Sequence, residues 1–247
     1  MSEPAHILST RPLDAGLLAQ AKACGIEIDT QSFISTEPVR DEGLQRRIRE
    51  LGHRPLTAVF TSMNAVEAVA AMVEVKAPWK IFCIGAATRQ FVHEHFGEDA
   101  VAGTAPSAAE LADVVLRRSL SVTEPVAGDH ALSPKEVFFF CGDQRRDELP
   151  GKLSSAGVRV NELVVYRTAQ TPHFVERPYA GIAFFSPSAV HSFFSVNTVG
   201  DKTLLFAIGS TTAAAIHGYC SNPVVISGSP AKEALVQQII EHFQTNI

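Results

Sequence analysis

The stretch Phe184-Phe185-Ser186-Pro187-Ser188-Ala189-Val190 decides the fold, because Phe60-Thr61-Ser62-Met63-Asn64-Ala65-Val66 nearly repeats it. Both read as the end of a buried strand, a hydroxyl-bearing turn and the first turn of a helix. The segments downstream of the two copies also match. Ile81-Phe82-Cys83-Ile84-Gly85-Ala86-Ala87-Thr88 answers Leu205-Phe206-Ala207-Ile208-Gly209-Ser210-Thr211-Thr212. Then Ser107-Ala108-Ala109-Glu110-Leu111 answers Ser229-Pro230-Ala231-Lys232-Glu233-Ala234-Leu235. The elements recur in one order at an offset of roughly 120 residues, too long for a solenoid repeat and suited to duplicated domains.

Around this repeat, short apolar runs at 6–9, 26–34, 57–60, 79–84, 137–141 and 158–166 read as strands. Amphipathic stretches between them read as helices. Asp14 opens one that stops at Gly25, 40–51 carries Leu44, Ile48 and Leu51 on one side, and the strand at 79–84 opens through Gly85 into another over 88–95. Asn64 and Glu67 have capping-box spacing, as do Ser107 and Glu110. The Ser35-Thr36-Glu37-Pro38 segment breaks the strand pattern. Strands alternating with helices predict an α/β fold with parallel sheets. In such sheets ligands bind outside the carboxyl ends of the strands, where every hydroxyl-rich turn falls. The repeat taken alone would divide the chain at the Pro-, Gly- and Ser-rich segment 123–134.

Composition narrows the function classes. The chain has 247 residues, 46% of them hydrophobic and 19% charged, enough for two small domains with separate cores. A net charge of -5 disfavours a nucleic-acid binder, which needs a basic face to displace phosphate counterions. Any anionic ligand must therefore be held locally. The four cysteines are scattered, without metal spacing, and fit a reducing cytosol. The nine histidines show no ligand pairing either, so no metal is expected. Neither a secretory signal nor a run long enough to span a bilayer is expected. No Walker A, Gly-x-Gly-x-x-Gly or Gly-x-Ser-x-Gly pattern is present, so neither a nucleotide cofactor nor a serine nucleophile is expected.

The turns at Thr61-Ser62, Ser186-Pro187-Ser188 and Ser210-Thr211-Thr212 place hydroxyls and backbone N–H groups at helix starts. Such ends carry partial positive charge and can hold a carboxylate or phosphate. Each can equally be a plain helix cap, and the two uses are compatible. Several facing one cleft favour anion binding. Arg11 and Arg146 add cations at ligand-edge turns, where arginine either grips a carboxylate or sits solvated. Tyr166 ends a strand as a half-buried aromatic or a phenol proton donor.

Together these residues resemble the uroporphyrinogen-III synthase family. The matching segments run in family order over nearly the whole chain. They are Ser9-Thr10-Arg11-Pro12, Phe60-Thr61-Ser62 with Asn64-Ala65-Val66, Gly142-Asp143 with Arg146 and Leu149, and Val165-Tyr166-Arg167-Thr168. Phe185 to Val190, Ile208 to Ala213 and Ser229-Pro230 complete the set. Leu204 and Leu205 stand where many members carry a basic residue.

The resemblance implies two flavodoxin/Rossmann-like parallel-sheet domains joined by a two-stranded β connection. They would be nested: residues 1–35 plus 170–247 form a discontinuous domain, and 36–169 the continuous middle. It implies a cytoplasmic, monomeric lyase of porphyrin and heme biosynthesis that needs no cofactor. The substrate would be hydroxymethylbilane, a linear tetrapyrrole with acetate and propionate arms, handed over by the preceding deaminase. Closure to uroporphyrinogen III loses water and inverts ring D, whereas uncatalysed closure gives the type I isomer. By family analogy Tyr166 assists departure of the hydroxyl. Arg11, Ser62, Asn64, Arg146, Ser186, Ser188, Ser210, Thr211 and Thr212 would bind the carboxylates. The competing class is a non-catalytic bilobal α/β module closing on a small anion or a tetrapyrrole. A regulatory flavodoxin-like pair would need an acidic cluster, and Asp143 stands alone.

Overall fold

The computed structural model describes residues 4–74, 76–120, 136–229 and 231–245. In chain order the elements are β1 (Ala5–Ser9), α1 (Ala15–Ala23), β2 (Ile26–Thr30), β3 (Ile34–Pro38), α2 (Glu42–Gly52), β4 (Leu56–Phe60) and α3 (Met63–Ala70). Next come β5 (Trp79–Ile84), α4 (Gly85–Phe96), β6 (Val101–Ala105), α5 (Ala108–Leu120), β7 (Glu136–Gly142), α6 (Glu148–Ser155) and β8 (Arg159–Gln170). The chain closes with β9 (Gly181–Phe184), α7 (Pro187–Phe194), β10 (Leu204–Ala207), α8 (Ser210–His217), β11 (Val224–Ile226) and α9 (Lys232–Thr245). These elements form two compact units, Met1–Ser35 with Ala169–Ile247 and Thr36–Thr168. The linker expected at 123–134 and Pro230 lie outside the described residues.

The discontinuous unit holds a sheet in the order β11-β10-β9-β1-β2, with every neighbouring pair parallel. β1 shows why its strands read as unbroken apolar runs. Ile7 packs with Leu17, Leu235 and Ile239, while Leu8 packs with Ile182, Phe184 and Phe193. Successive side chains face opposite sides of a sheet, so both faces are covered. Helices α1 and α9 supply one cover, α7 and α8 the other.

In the continuous unit the order is β3-β8-β7-β4-β5-β6. Among the described pairs, β7–β8, β7–β4, β4–β5 and β5–β6 are parallel. β7 carries the same logic with larger side chains. Phe138 and Phe140 enter the cluster of Phe60, Val66 and Trp79; Val137, Phe139 and Cys141 enter that of Leu111, Val115 and Leu153. Phe60, Trp79 and Phe140 stack, with Phe140 ring centroids 5.1 Å from Phe60 and 5.4 Å from Trp79. Full burial of each such side chain contributes roughly 1.5–3 kcal/mol.

Three expectations need correction. The single strand expected at 26–34 is two strands in different sheets, β2 and β3. The break falls at Ser32, whose hydroxyl donates to the Ile34 carbonyl at 2.6 Å, and at Phe33, buried against Phe193. Conversely, Ser35 to Pro38 continues β3 and does not break it. Proline is tolerated there because β3 is an edge strand. The helix expected from Thr88 begins earlier, at Gly85. Among the described residues no helix is long and apolar enough to cross a membrane.

Candidate active site

Because β1, β2, β9, β10 and β11 are parallel in one sheet and β4 to β8 in the other, the carboxyl ends of these strands collect at one edge of each sheet. In the discontinuous unit that edge carries Arg11 after β1, Ser186 and Ser188 after β9, and Ser210 and Thr211 after β10. In the continuous unit it carries Ser62 and Asn64 after β4, Gly85 after β5 and Arg146 after β7; Tyr166 does not end its strand as expected, since β8 runs on to Gln170, but it stands level with Gly142 at the end of β7.

The helix starts divide into two kinds. Ser62 and Ser186 are both helix caps: Ser62 Oγ accepts from Ala65 N at 3.3 Å, and Ser186 Oγ from Ala189 N at 3.2 Å. Pro187 supports the second by occupying the first helical turn. Ser188, one residue on, is buried. The cap expected of Asn64 is therefore made by Ser62, and Asn64 lies inside α3. Its half-buried amide has no partner among the described residues.

Helices α8 and α4 start without a side-chain cap. At α8 the cap position is Gly209, and its carbonyl accepts from Thr212 N and Ala213 N at 3.1 and 3.0 Å. The N–H groups of Ser210 and Thr211 are left uncapped, beside exposed Ser210 and Thr211 hydroxyls. Thr212 is only 1% exposed, so the expected Thr211–Thr212 pair is split: one hydroxyl faces out, the other lies in the core. At α4 the cap position is Ile84, and Gly85 enters the helix with φ 72°, a conformation that disfavours other residues. A cleft of about 530 Å³ opens there, lined by Gly85, Ala86, Arg89, Gln90, His93 and Thr104. Arg89 is ion-paired with Glu98 at 2.5 Å. Sequence reasoning does not single out Gly85 and its neighbours as site residues, although Gly85-Ala86 repeats Gly209-Ser210.

The turn after β7 surrounds Tyr166. Asp143 N donates to the Tyr166 carbonyl at 3.2 Å, and Thr168 N donates to Asp143 Oδ1 at 3.0 Å. Arg145 is ion-paired with Asp147 and Glu162, so it is engaged structurally. The guanidinium groups of Arg146 and Arg11 are exposed and without a partner among the described residues.

Of the three tyrosines, two have committed hydroxyls. Tyr179 donates to Asp29 Oδ2 at 2.7 Å, and burial together with that carboxylate pushes its pKa up. Tyr219 is hydrogen-bonded with His191 Nδ1 at 2.9 Å. The Tyr166 hydroxyl has no partner among the described residues, and its side chain is half-buried. Cys83 and Cys141 are buried thiols whose pKa values desolvation raises to about 11, which makes them poor nucleophiles. Among the described residues no group of His, Cys, Asp and Glu is placed to hold a metal ion. What remains among the described residues is, in the continuous unit, the phenol of Tyr166, the guanidinium of Arg146 and the uncapped start of α4, and, in the discontinuous unit, the guanidinium of Arg11 and the uncapped start of α8.

A family model described as uroporphyrinogen-III synthase HemD matches residues 16–237. The uroporphyrinogen-III synthase of Saccharomyces cerevisiae is 32% identical over 97 residues, 36% of this chain. That match spans 31% of the yeast protein's length. Among solved structures, uroporphyrinogen-III synthetase from Helicobacter pylori 26695 aligns with a TM-score of 0.64 at 14% identity, covering 96% of this chain and 99% of that one. A mutant uroporphyrinogen III synthase from the extremely thermophilic bacterium Thermus thermophilus aligns at 0.55 and 14% identity, covering 98% and 100%.

Proposed function

The chain belongs to the uroporphyrinogen-III synthase family, and from that premise we propose that it cyclises hydroxymethylbilane to uroporphyrinogen III. Tyr166 acts as proton donor. The observation that carries the reading is its uncommitted hydroxyl at the carboxyl edge of the sheet, beside the Asp143–Arg146 turn.

The chemistry asks little of a reactive side chain. Loss of the bilane hydroxyl as water gives an azafulvene-like cation, and the phenol of Tyr166 assists by donating a hydrogen bond or proton to the departing oxygen. Closure at the unsubstituted ring-D position yields the type I isomer. Attack at the substituted ring-D carbon, through a spiro intermediate, gives the inverted ring of the type III product. Selecting between them is a matter of orientation and transition-state complementarity.

The substrate's carboxylates are what the protein grips. On a chain of net charge -5 the field as a whole repels them, so local donors must prevail. The uncapped starts of α8 and α4 offer N–H groups and the positive end of a helix dipole. Exposed Ser210, Thr211, Arg11, Arg146 and the Asn64 amide add donors. Ser62, Ser186 and Ser188 shape their turns, and Thr212 packs beneath Thr211.

We place the protein in the cytosol as a monomer that receives its bilane from the deaminase producing it. Its cysteines are all free thiols, as a reducing compartment permits. Binding is tested by calorimetric titration with the type III macrocycle at two salt concentrations. Affinity that weakens with salt is expected; absence of binding would contradict the carboxylate-holding role.

A further inference from the structure

Gly142 ends β7 opposite Tyr166 of β8, where the pairing register shifts: Cys141 faces Val164, and Gly142 faces Tyr166. Val165 is thus the extra residue of a bulge, a device that re-aims the side chain beside it. The Tyr166 ring lies against the bare Cα of Gly142. A Cβ at position 142 would stand 2.5 Å from Tyr166 Cζ, 2.7 Å from Cε2 and 2.8 Å from the hydroxyl oxygen. Comfortable carbon contacts lie near 3.5–4.0 Å, so any side chain there would drive the phenol aside by about 1 Å. The backbone does not demand glycine, because Gly142 is not among the glycines with positive φ. The ring does. Asp143, bonded to the Tyr166 carbonyl and the Thr168 N–H, holds the register in which this contact occurs.

We propose that Gly142 is a positioning residue for the reaction: its missing side chain sets where the Tyr166 hydroxyl stands. This rests on the donor role given to Tyr166 above. A reactive group misplaced by about 1 Å can cost on the order of a hundredfold in rate.

The test is Gly142→Ala, read by turnover and by the ¹³Cζ NMR signals of the three tyrosines. The Tyr166 signal is assigned by its loss in Tyr166→Phe. In Gly142→Ala the expected result is a fall in kcat of about tenfold to a hundredfold, with KM little changed. The Tyr166 signal should move while those of Tyr179 and Tyr219 stay. In a Tyr166→Ala background, Gly142→Ala should cost no further turnover; a multiplying loss would overturn the proposal. If Gly142→Ala does not fold, Asp143→Ala loosens the same register and should shift the same signal and lower kcat; wild-type rate and signal would overturn it. The two readings fail differently. Full rate in Tyr166→Phe removes the donor role and the positioning role with it. Slow Tyr166→Phe beside a wild-type Gly142→Ala removes only the positioning role.

Discussion

Ser62 and Ser186 make the same hydrogen bond in different units: each hydroxyl accepts from the backbone N–H three residues ahead, at 3.3 and 3.2 Å. Both sit in extended backbone, with φ and ψ of -153° and 145° for Ser62 and -162° and 155° for Ser186. A duplicated sequence motif has kept one local job in both copies.

That job predicts a stability effect. Ser62→Ala and Ser186→Ala should each cost roughly 0.5–2 kcal/mol, seen as a lower Tm or denaturation midpoint. Asparagine, another good capping residue, should restore most of it. Unchanged melting in both alanine variants would contradict the capping role.

The uncapped start of α8 predicts the opposite pattern. Ser210→Ala and Thr211→Ala remove exposed hydroxyls that cap nothing, so stability should move by no more than about 0.5 kcal/mol. If they hold carboxylates, each should raise KM by about tenfold or more, since a hydrogen bond to a charged group is worth roughly 1.5–3 kcal/mol. A variant that melts early but turns over normally would contradict the assignment.

Tyr166→Phe keeps the ring against Gly142 and deletes only the hydroxyl. The fold should survive, and kcat should fall by about 10²- to 10⁴-fold, the usual reach of a positioned acid. Tyr219→Phe, whose hydroxyl is hydrogen-bonded with His191, serves as the control and should leave turnover unchanged.

The buried thiols predict a pH effect. Cys83 and Cys141 have folded pKa values of about 11 against 9.0 for a free thiol. The folded state then binds more protons than the unfolded one between those values. The stability they contribute is full below about pH 9 and is lost as pH rises towards 11, on the order of 1–3 kcal/mol per thiol. Denaturation midpoints measured from pH 8 to 11 should fall more steeply for the native chain than for Cys83→Ala/Cys141→Ala.

Much of this was legible in the sequence, because strand alternation and helix capping are local. Val137 to Cys141 announces a two-sided buried strand, and the hydroxyl turns mark helix starts whether or not a ligand uses them. The division of 26–34 was not legible. Both β2 and β3 are short, half-polar edge strands, and only the burial of Phe33 and the choice of sheet separates them. The open start of α4 is marked in the sequence only by its likeness to Gly209-Ser210, because Gly85-Ala86 lacks the hydroxyls that draw attention to α8. The Gly142–Tyr166 contact depends on a one-residue register shift between β7 and β8, and no spacing rule encodes that.

The activity proposed for this chain is the direction of ring closure. Purified protein supplied with hydroxymethylbilane, with the isomers formed then resolved, tests it most directly. Predominantly type III product, formed faster than spontaneous closure, is the predicted result. Type I product alone, at the rate seen without protein, would contradict it.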